Sequence, residues 1–252
     1  MQKGGVAFFD SGIGGLSVMA ECAKYCAGET FYYFGDNENA PYGNLPREKI
    51  EELVFCAFMR LSAFNPKAAV VGCNTATAVC VEKLRKEFSF PIVGAEPAVF
   101  SAAKQGGKIL VLATCATCAS PRFHSLCRRA GERYPQAEIL PVPCERLAGE
   151  IERNVLNAAF DCTRYLPSLH ADAVVLGCTH YTFQKKQIAD FYQCPVFDGN
   201  LGIAKRLRSF LEQPPTCDHL SSAQNPSKIV FLGSAKHLNQ FIFEQTFGRE
   251  GF

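Results

Sequence analysis

The chain has 252 residues, and its 26 Lys plus Arg against 24 Asp plus Glu leave a formal net charge of +2. With no basic block or stripe, that balance gives no reason to expect nucleic acid as a partner, and no run approaches the roughly 20 consecutive apolar residues of a membrane-spanning helix. Thirteen cysteines, an odd number scattered along the chain, argue for reduced thiols over a disulfide-stapled secreted domain; Asp10 ends the first apolar run too early for a signal-peptide core, so a cytoplasmic protein is expected.

Taken in chain order, short apolar runs end repeatedly in Gly, Asp, Cys or Pro. They are GVAFFD (5–10), FYYFGD (31–36), AAVVGC (68–73) and PIVGA (91–95), then KILVLAT (108–114), AEILPVP (137–143), ADAVVLGC (171–178) and CPVFD (194–198), with KIVFLG (228–233) as a ninth. Between them lie stretches of helical character such as REKIEELVFCAFMRL (47–61) and ATAVCVEKLRKEF (76–88). The alternation predicts an α/β fold whose strands are mainly parallel and buried on both faces. PPTCDHLSSAQNP (214–226) is the most loop-like stretch.

The two sets of four runs echo each other, and in each the third run ends in Gly-Cys. VVGCNTAT (70–77) and VVLGCTHYT (174–182) therefore place Cys73 and Cys178 at equivalent strand ends, 105 positions apart. Ligands of open α/β sheets bind at the carboxyl ends of strands, so two similar halves facing each other put one thiol on each side of a shared cleft. A cysteine that ends a strand and begins a helix lies near backbone N–H groups and the positive end of the helix dipole, which predicts a lowered thiol pKa. Asn74, Thr75, Thr77, Thr179 and Thr182 supply hydrogen bonds beside the two sulfurs. One thiol with His180 as base reads as a covalent nucleophile. Two opposed thiols read as a pair that removes a proton from one face of a stereocentre and returns one to the other face, with no cofactor. Each cysteine taken alone also reads as a small buried hydrophobe.

Two motifs carry competing readings. DSGIGGLS (10–17) after a strand looks like a dinucleotide loop, but Ser17 stands where its last glycine belongs and Asp10 would repel a pyrophosphate. Its glycines are instead expected to let the backbone turn tightly and approach a small ligand. Cys115 and Cys118 form a C-x-x-C with no second ligand pair at zinc spacing. His180, two positions beyond Cys178, shares its side if the strand continues.

DSGIGGLSV (10–18), FGDNENAPYG (34–43), GCNTAT (72–77) and GCTHYT (177–182) together resemble, in order and spacing, the signatures of the glutamate racemases, cofactor-independent enzymes of the aspartate/glutamate racemase superfamily. The resemblance covers nearly the whole chain. It implies two α/β domains related by a pseudo-twofold axis around a central cleft, here residues 1–96 plus 208–252 and residues 97–207. It further implies Cys73 and Cys178 as the acid/base pair, with Asp10 assisting the first and His180 with Glu152 assisting the second; Glu150 is the alternative register for Glu152. Ser11, Pro41, Tyr42, Gly43, Asn74, Thr75, Thr114, Thr117 and Thr179 are then expected to line a glutamate site, with Asp36 organising one wall. A homodimer, no metal and supply of D-glutamate to peptidoglycan are implied too. The chain departs from the family pattern at ATCAT (113–117), where Ala113 replaces a glycine, and at Thr182, where proline is common. Racemisation of aspartate or another small acid, and a non-enzymatic protein holding zinc through Cys73, Cys178 and His180, remain alternatives.

Overall fold

The computed structural model describes residues 4–211 and 227–248; the loop-like stretch 214–226 lies outside them. In chain order the elements are β1 (Val6–Asp10), α1 (Gly15–Tyr25), β2 (Thr30–Gly35), α2 (Arg47–Ser62), β3 (Ala68–Val71), α3 (Asn74–Glu87), β4 (Ile92–Gly94) and α4 (Val99–Ala103). Then come β5 (Gly107–Ala113), α5 (Cys115–Cys118), α6 (Pro121–Arg133), β6 (Ala137–Pro143), α7 (Leu147–Asn154), β7 (Ala173–Leu176), α8 (Lys185–Tyr192), β8 (Val196–Phe197) and α9 (Asn200–Phe210). β9 (Lys228–Leu232) and α10 (Lys236–Phe247) follow. All nine expected runs are strands; β1, β3 and β7 are buried at every position and β5 over its last five residues, so these stand out without alternation.

Among the described residues every strand pairing is parallel. One sheet has the order β4-β3-β1-β2-β9 and the other β6-β5-β7-β8. Matching β1, β2, β3 and β4 to β5, β6, β7 and β8 superimposes the two orders, with β9 added to the first. The echo in the sequence is thus an echo in topology, and β3 and β7, the strands that lead to Cys73 and Cys178, hold equivalent places.

Each sheet is packed on both faces. Along β1, Val6 and Phe8 join one apolar cluster with Leu16 and Met19, while Ala7 and Phe9 join another with Val54, Phe58 and Leu84. The second sheet repeats this, with Leu110 and Leu112 on one side and Ile109 and Val111 on the other. α2 buries Ile50, Val54, Ala57, Phe58 and Leu61, a helical stripe. Ile203, Ala204 and Leu207 of α9 pack in the cluster of the first sheet, so the division expected at 207/208 falls within this helix.

Candidate active site

The first thiol is placed by the end of β3. Gly72 N donates to Phe9 O at 2.7 Å, which keeps the chain on β1 until the turn. Cys73 then caps α3, its Sγ accepting from Ala76 N at 3.4 Å and from Ser11 Oγ at 3.2 Å. Burial nevertheless pushes this thiol up to about 12, and the neighbouring Asp10 carboxylate adds to the rise, outweighing both donors. The expected lowering at the helix start does not occur at Cys73, because removing water from around the sulfur disfavours the thiolate more than one helix end favours it.

Asp10 ends β1 and is fully buried. Gly12 N donates to its Oδ1 at 2.9 Å and Thr179 Oγ1 to its Oδ2 at 3.3 Å. Burial raises its pKa from an ordinary 3.8 to about 6, the imidazole of His180 opposing the rise.

The second thiol follows β7, where Gly177 N donates to Leu112 O at 2.7 Å. Beyond Cys178 the chain coils into a tight 3₁₀ turn, Thr179–Gln184, instead of continuing as a strand. The turn still brings His180 to the thiol's side, with Nδ1 3.8 Å from Cys178 Sγ, while Nε2 stands 2.5 Å from Glu152 Oε2. Glu152, on α7, also accepts from Ile13 N at 3.1 Å and from Asn37 Nδ2 at 2.8 Å. Burial works against both charges of the pair. For His180 the Glu152 carboxylate and Cys178 prevail and hold its pKa well above the ordinary value. Glu152 ends below the usual carboxylate range through His180, Ile13 and Asn37. Glu150, the alternative register, faces away and pairs with Arg153 at 2.6 Å and Arg146 at 3.5 Å.

The two halves meet through their strand ends. Thr75, two positions past Cys73, has its Oγ1 2.9 Å from Thr114 Oγ1 and 3.2 Å from Thr117 Oγ1, and Thr114 donates to Thr117 at 3.0 Å. Thr114 follows β5 as Asp10 ends β1, so Thr75 to Thr114 and Thr179 to Asp10 are approximate images of each other. Asn74, the residue after Cys73, lines a small hollow between the units together with Cys178, Thr179 and Thr182. On one wall, Tyr42 OH donates to Asp36 Oδ2 at 2.5 Å, Pro41 follows a cis peptide bond, and Gly43 lies against Thr114.

The glycines of the DSGIGG loop also make room for side chains of the other unit. A Cβ on Gly12 would stand 2.5 Å from Glu152 Oε2 and 2.8 Å from Oε1, and one on Gly14 would stand 2.8 Å from His180 Nδ1. What approaches this backbone closely is the other unit's side chains. Sequence reasoning also missed Asn37 and, behind it, Asn239, whose Nδ2 donates to Asn37 Oδ1 at 2.9 Å. Asn37 sits inside FGDNENAPYG, where asking which residues could reach the second half would have raised it. Cys115 and Cys118 end the single turn of α5, half-buried and unbridged.

Two like-ordered parallel α/β units thus meet where equivalent strand ends each present a cysteine with its own hydrogen-bonding set. Residues 16–207 match the family described as Asp/Glu/hydantoin racemase. A glutamate racemase from Clostridium kluyveri is 41% identical over 256 residues, covering 96% of this chain and 95% of that protein. One from Clostridium botulinum is 39% identical over 220 residues, covering 82% and 84%. Among solved structures, Escherichia coli glutamate racemase in complex with L-glutamate and the activator UDP-MurNAc-Ala has a TM-score of 0.77 at 26% identity, over 100% of this chain and 96% of that one. A glutamate racemase of Bacillus anthracis also has a TM-score of 0.77 at 26% identity, over 98% and 95%. The chain belongs to the Asp/Glu/hydantoin racemase family.

Proposed function

We propose that this enzyme interconverts L- and D-glutamate by proton exchange between Cys73 and Cys178, without a cofactor. The observation that carries the reading is the pair of cysteines at equivalent strand ends of two facing sheets, each with its own polar assistants. The glutamate racemases of C. kluyveri and E. coli support the choice of substrate.

In this reading the α-carbon sits between the sulfurs. One, as thiolate, takes the α-proton while the other, as thiol, delivers a proton to the opposite face. Cys73 reaches the thiolate only once substrate arrives, because an ammonium group beside Asp10 and Cys73 offsets the burial that holds the thiol protonated. Asp10, raised to about 6, is suited to accept a proton near neutral pH. On the other side His180, held protonated by Glu152, stands within reach to deliver a proton to Cys178. Hydroxyl, amide and backbone donors from Ser11, Asn74, Thr75 and Thr179 surround the α-carboxylate, where negative charge grows in the transition state. Thr114 and Thr117, with Pro41, Tyr42 and Gly43 as the adjoining wall, hold the distal carboxylate.

The two units, 1–96 with the returning C-terminal segment and the intervening residues, close over the substrate and exclude water. We assign the enzyme to the cytoplasm as a homodimer supplying D-glutamate to peptidoglycan, as the family resemblance implies. A zinc site at Cys73, Cys178 and His180 has less support, since among the described residues no three His, Cys, Asp or Glu side chains are grouped closely enough to hold a metal ion. The test is polarimetry of the reduced, chelator-treated protein with L-glutamate, D-glutamate and L-aspartate. Glutamate is expected to lose optical activity at least tenfold faster than aspartate; faster aspartate turnover overturns the substrate assignment, and inactivity restored by zinc overturns the cofactor-free reading.

A further inference from the structure

Glu152 belongs to the second unit, yet apart from His180 its hydrogen bonds come from the first: Ile13 N to Oε2 and Asn37 Nδ2 to Oε1. A side-chain amide can present either its nitrogen or its oxygen to a carboxylate, and only the nitrogen attracts it. At Asn37 the choice is made from behind. Asn239 of α10, fully buried, donates through Nδ2 to Asn37 Oδ1, so Asn37 Nδ2 is left turned toward Glu152. Gly35 provides the space, since a Cβ there would stand 2.8 Å from Asn239 Nδ2 and 2.9 Å from Asn37 Oδ1. Among the described residues Asn239 Oδ1, which is buried, has no hydrogen-bond partner. Burying an unpaired amide oxygen is unfavourable, so packing alone gives no reason for asparagine at this position, whereas its donor has a definite use.

We infer that Asn37 is a positioning residue for the Cys178 half of the reaction, with Asn239 fixing the direction of its amide. The pair turns the Glu152 carboxylate so that it holds His180 through Nε2 and leaves Nδ1 facing Cys178. The donors stand on the first unit and the Glu152–His180 pair on the second, so this arm is complete only when the two units are together. The inference rests on the two-thiol reading given above.

The ionisable groups around Glu152 are His180 from the turn after β7, Asp10 at the end of β1 and Tyr33 on β2, with Cys178 beyond His180. Removing the Asn37 donor weakens the ionised carboxylate, so the acid limb of the kcat profile moves to higher pH. Asn37 is half-buried at the joint between units, and two variants of it separate positioning from space-filling. Asn37→Ala is expected to lower kcat about tenfold or more. Asn37→Asp keeps the shape but replaces the donor by a like charge; it is expected to be at least as damaging and to move the acid limb further. With substrate deuterated at the α-carbon, the isotope effect rises for the enantiomer whose proton passes to Cys178 and falls for the other. Asn239→Ala, which frees the Asn37 amide to turn, shifts the limb the same way but less.

A benign Asn37→Asp beside a damaged Asn37→Ala, with neither acid limb moved, overturns the positioning role. An unmoved limb in Asn239→Ala overturns the part given to Asn239. The wild type is assayed alongside: its failure to racemise overturns the two-thiol reading, whereas an active wild type with unshifted variants overturns this inference alone.

Discussion

Replacing Gly12 by alanine separates the docking of the two units from the folding of either. The glycine does not use a left-handed conformation, so alanine is tolerated by the backbone. Its Cβ, however, would stand 2.5 Å from Glu152 Oε2, 2.8 Å from Oε1 and 2.9 Å from Cδ. These are the atoms at the end of a flexible side chain, which can swing away without moving the backbone. Swinging away breaks the contacts with Ile13 N and Asn37 Nδ2 and loosens the hold on His180. Two hydrogen bonds to a charged group, at about 1.5–3 kcal/mol each, convert at about 1.4 kcal/mol per decade to a loss of about 10²- to 10⁴-fold in kcat/KM. Partial relaxation and non-additivity favour the lower end. The assay pairs polarimetric kcat/KM with urea unfolding: the same two hydrogen bonds bound the loss of stability at about 3–6 kcal/mol, and activity is compared per folded protein. Wild-type kcat/KM in Gly12→Ala, or a loss of activity that simply follows a loss of folded protein, refutes the reasoning.

Cys73→Ser and Cys178→Ser are each expected to abolish racemisation, read by polarimetry, while leaving the unfolding midpoint nearly unchanged; full activity in either removes the two-base mechanism. Asp10, whose pKa burial raises from 3.8 to about 6, binds its proton more tightly folded than unfolded. Its contribution is therefore complete below about pH 4 and lost as pH rises to about 6, a difference of about 3 kcal/mol. Asp10→Asn should accordingly be more stable than wild type above pH 6 by up to that amount, with the gain fading below pH 4; equal curves at both ends would contradict it. Thr75→Val keeps its shape but loses the hydroxyl contacts to Thr114 and Thr117 across the cleft. KM for glutamate is expected to rise about tenfold or more, with a smaller change in kcat; an unchanged KM argues against Thr75 as a substrate contact.

What could be read from the sequence was whatever is local or repeated. The nine apolar runs, down to β8 with only Val196–Phe197, and the Gly-Cys ending of β3 and β7 were legible because buried parallel strands announce themselves residue by residue. Contacts between the units were not. Asn37 meets Glu152 from 115 positions away and Asn239 from 202, and no periodicity encodes such a meeting. The Cys73 pKa was misread for a related reason: the helix start beside it is local, whereas the burial that outweighs it comes from residues distant in sequence, such as Phe9 and Ile50, packed in the same cluster. Gly12 and Gly14 look like loop glycines until the neighbours a Cβ would strike are known, and these come from α7 and the turn after β7. Likewise α9 follows the second sheet in sequence but buries Ile203, Ala204 and Leu207 against the first.

The central claim is that two thiols act on opposite faces of one carbon, and the most direct measurement is where deuterium appears first. L-glutamate is incubated with reduced, chelator-treated enzyme in D₂O, and the α-hydrogen content of each enantiomer is followed at early times by proton NMR after chiral separation. Two opposed acid/base groups predict that the D-glutamate formed carries deuterium at the α-carbon from the first turnovers, while the remaining L-glutamate still carries protium. D-glutamate that retains the original hydrogen, or exchange in L-glutamate without inversion, would point to a single base and contradict the account.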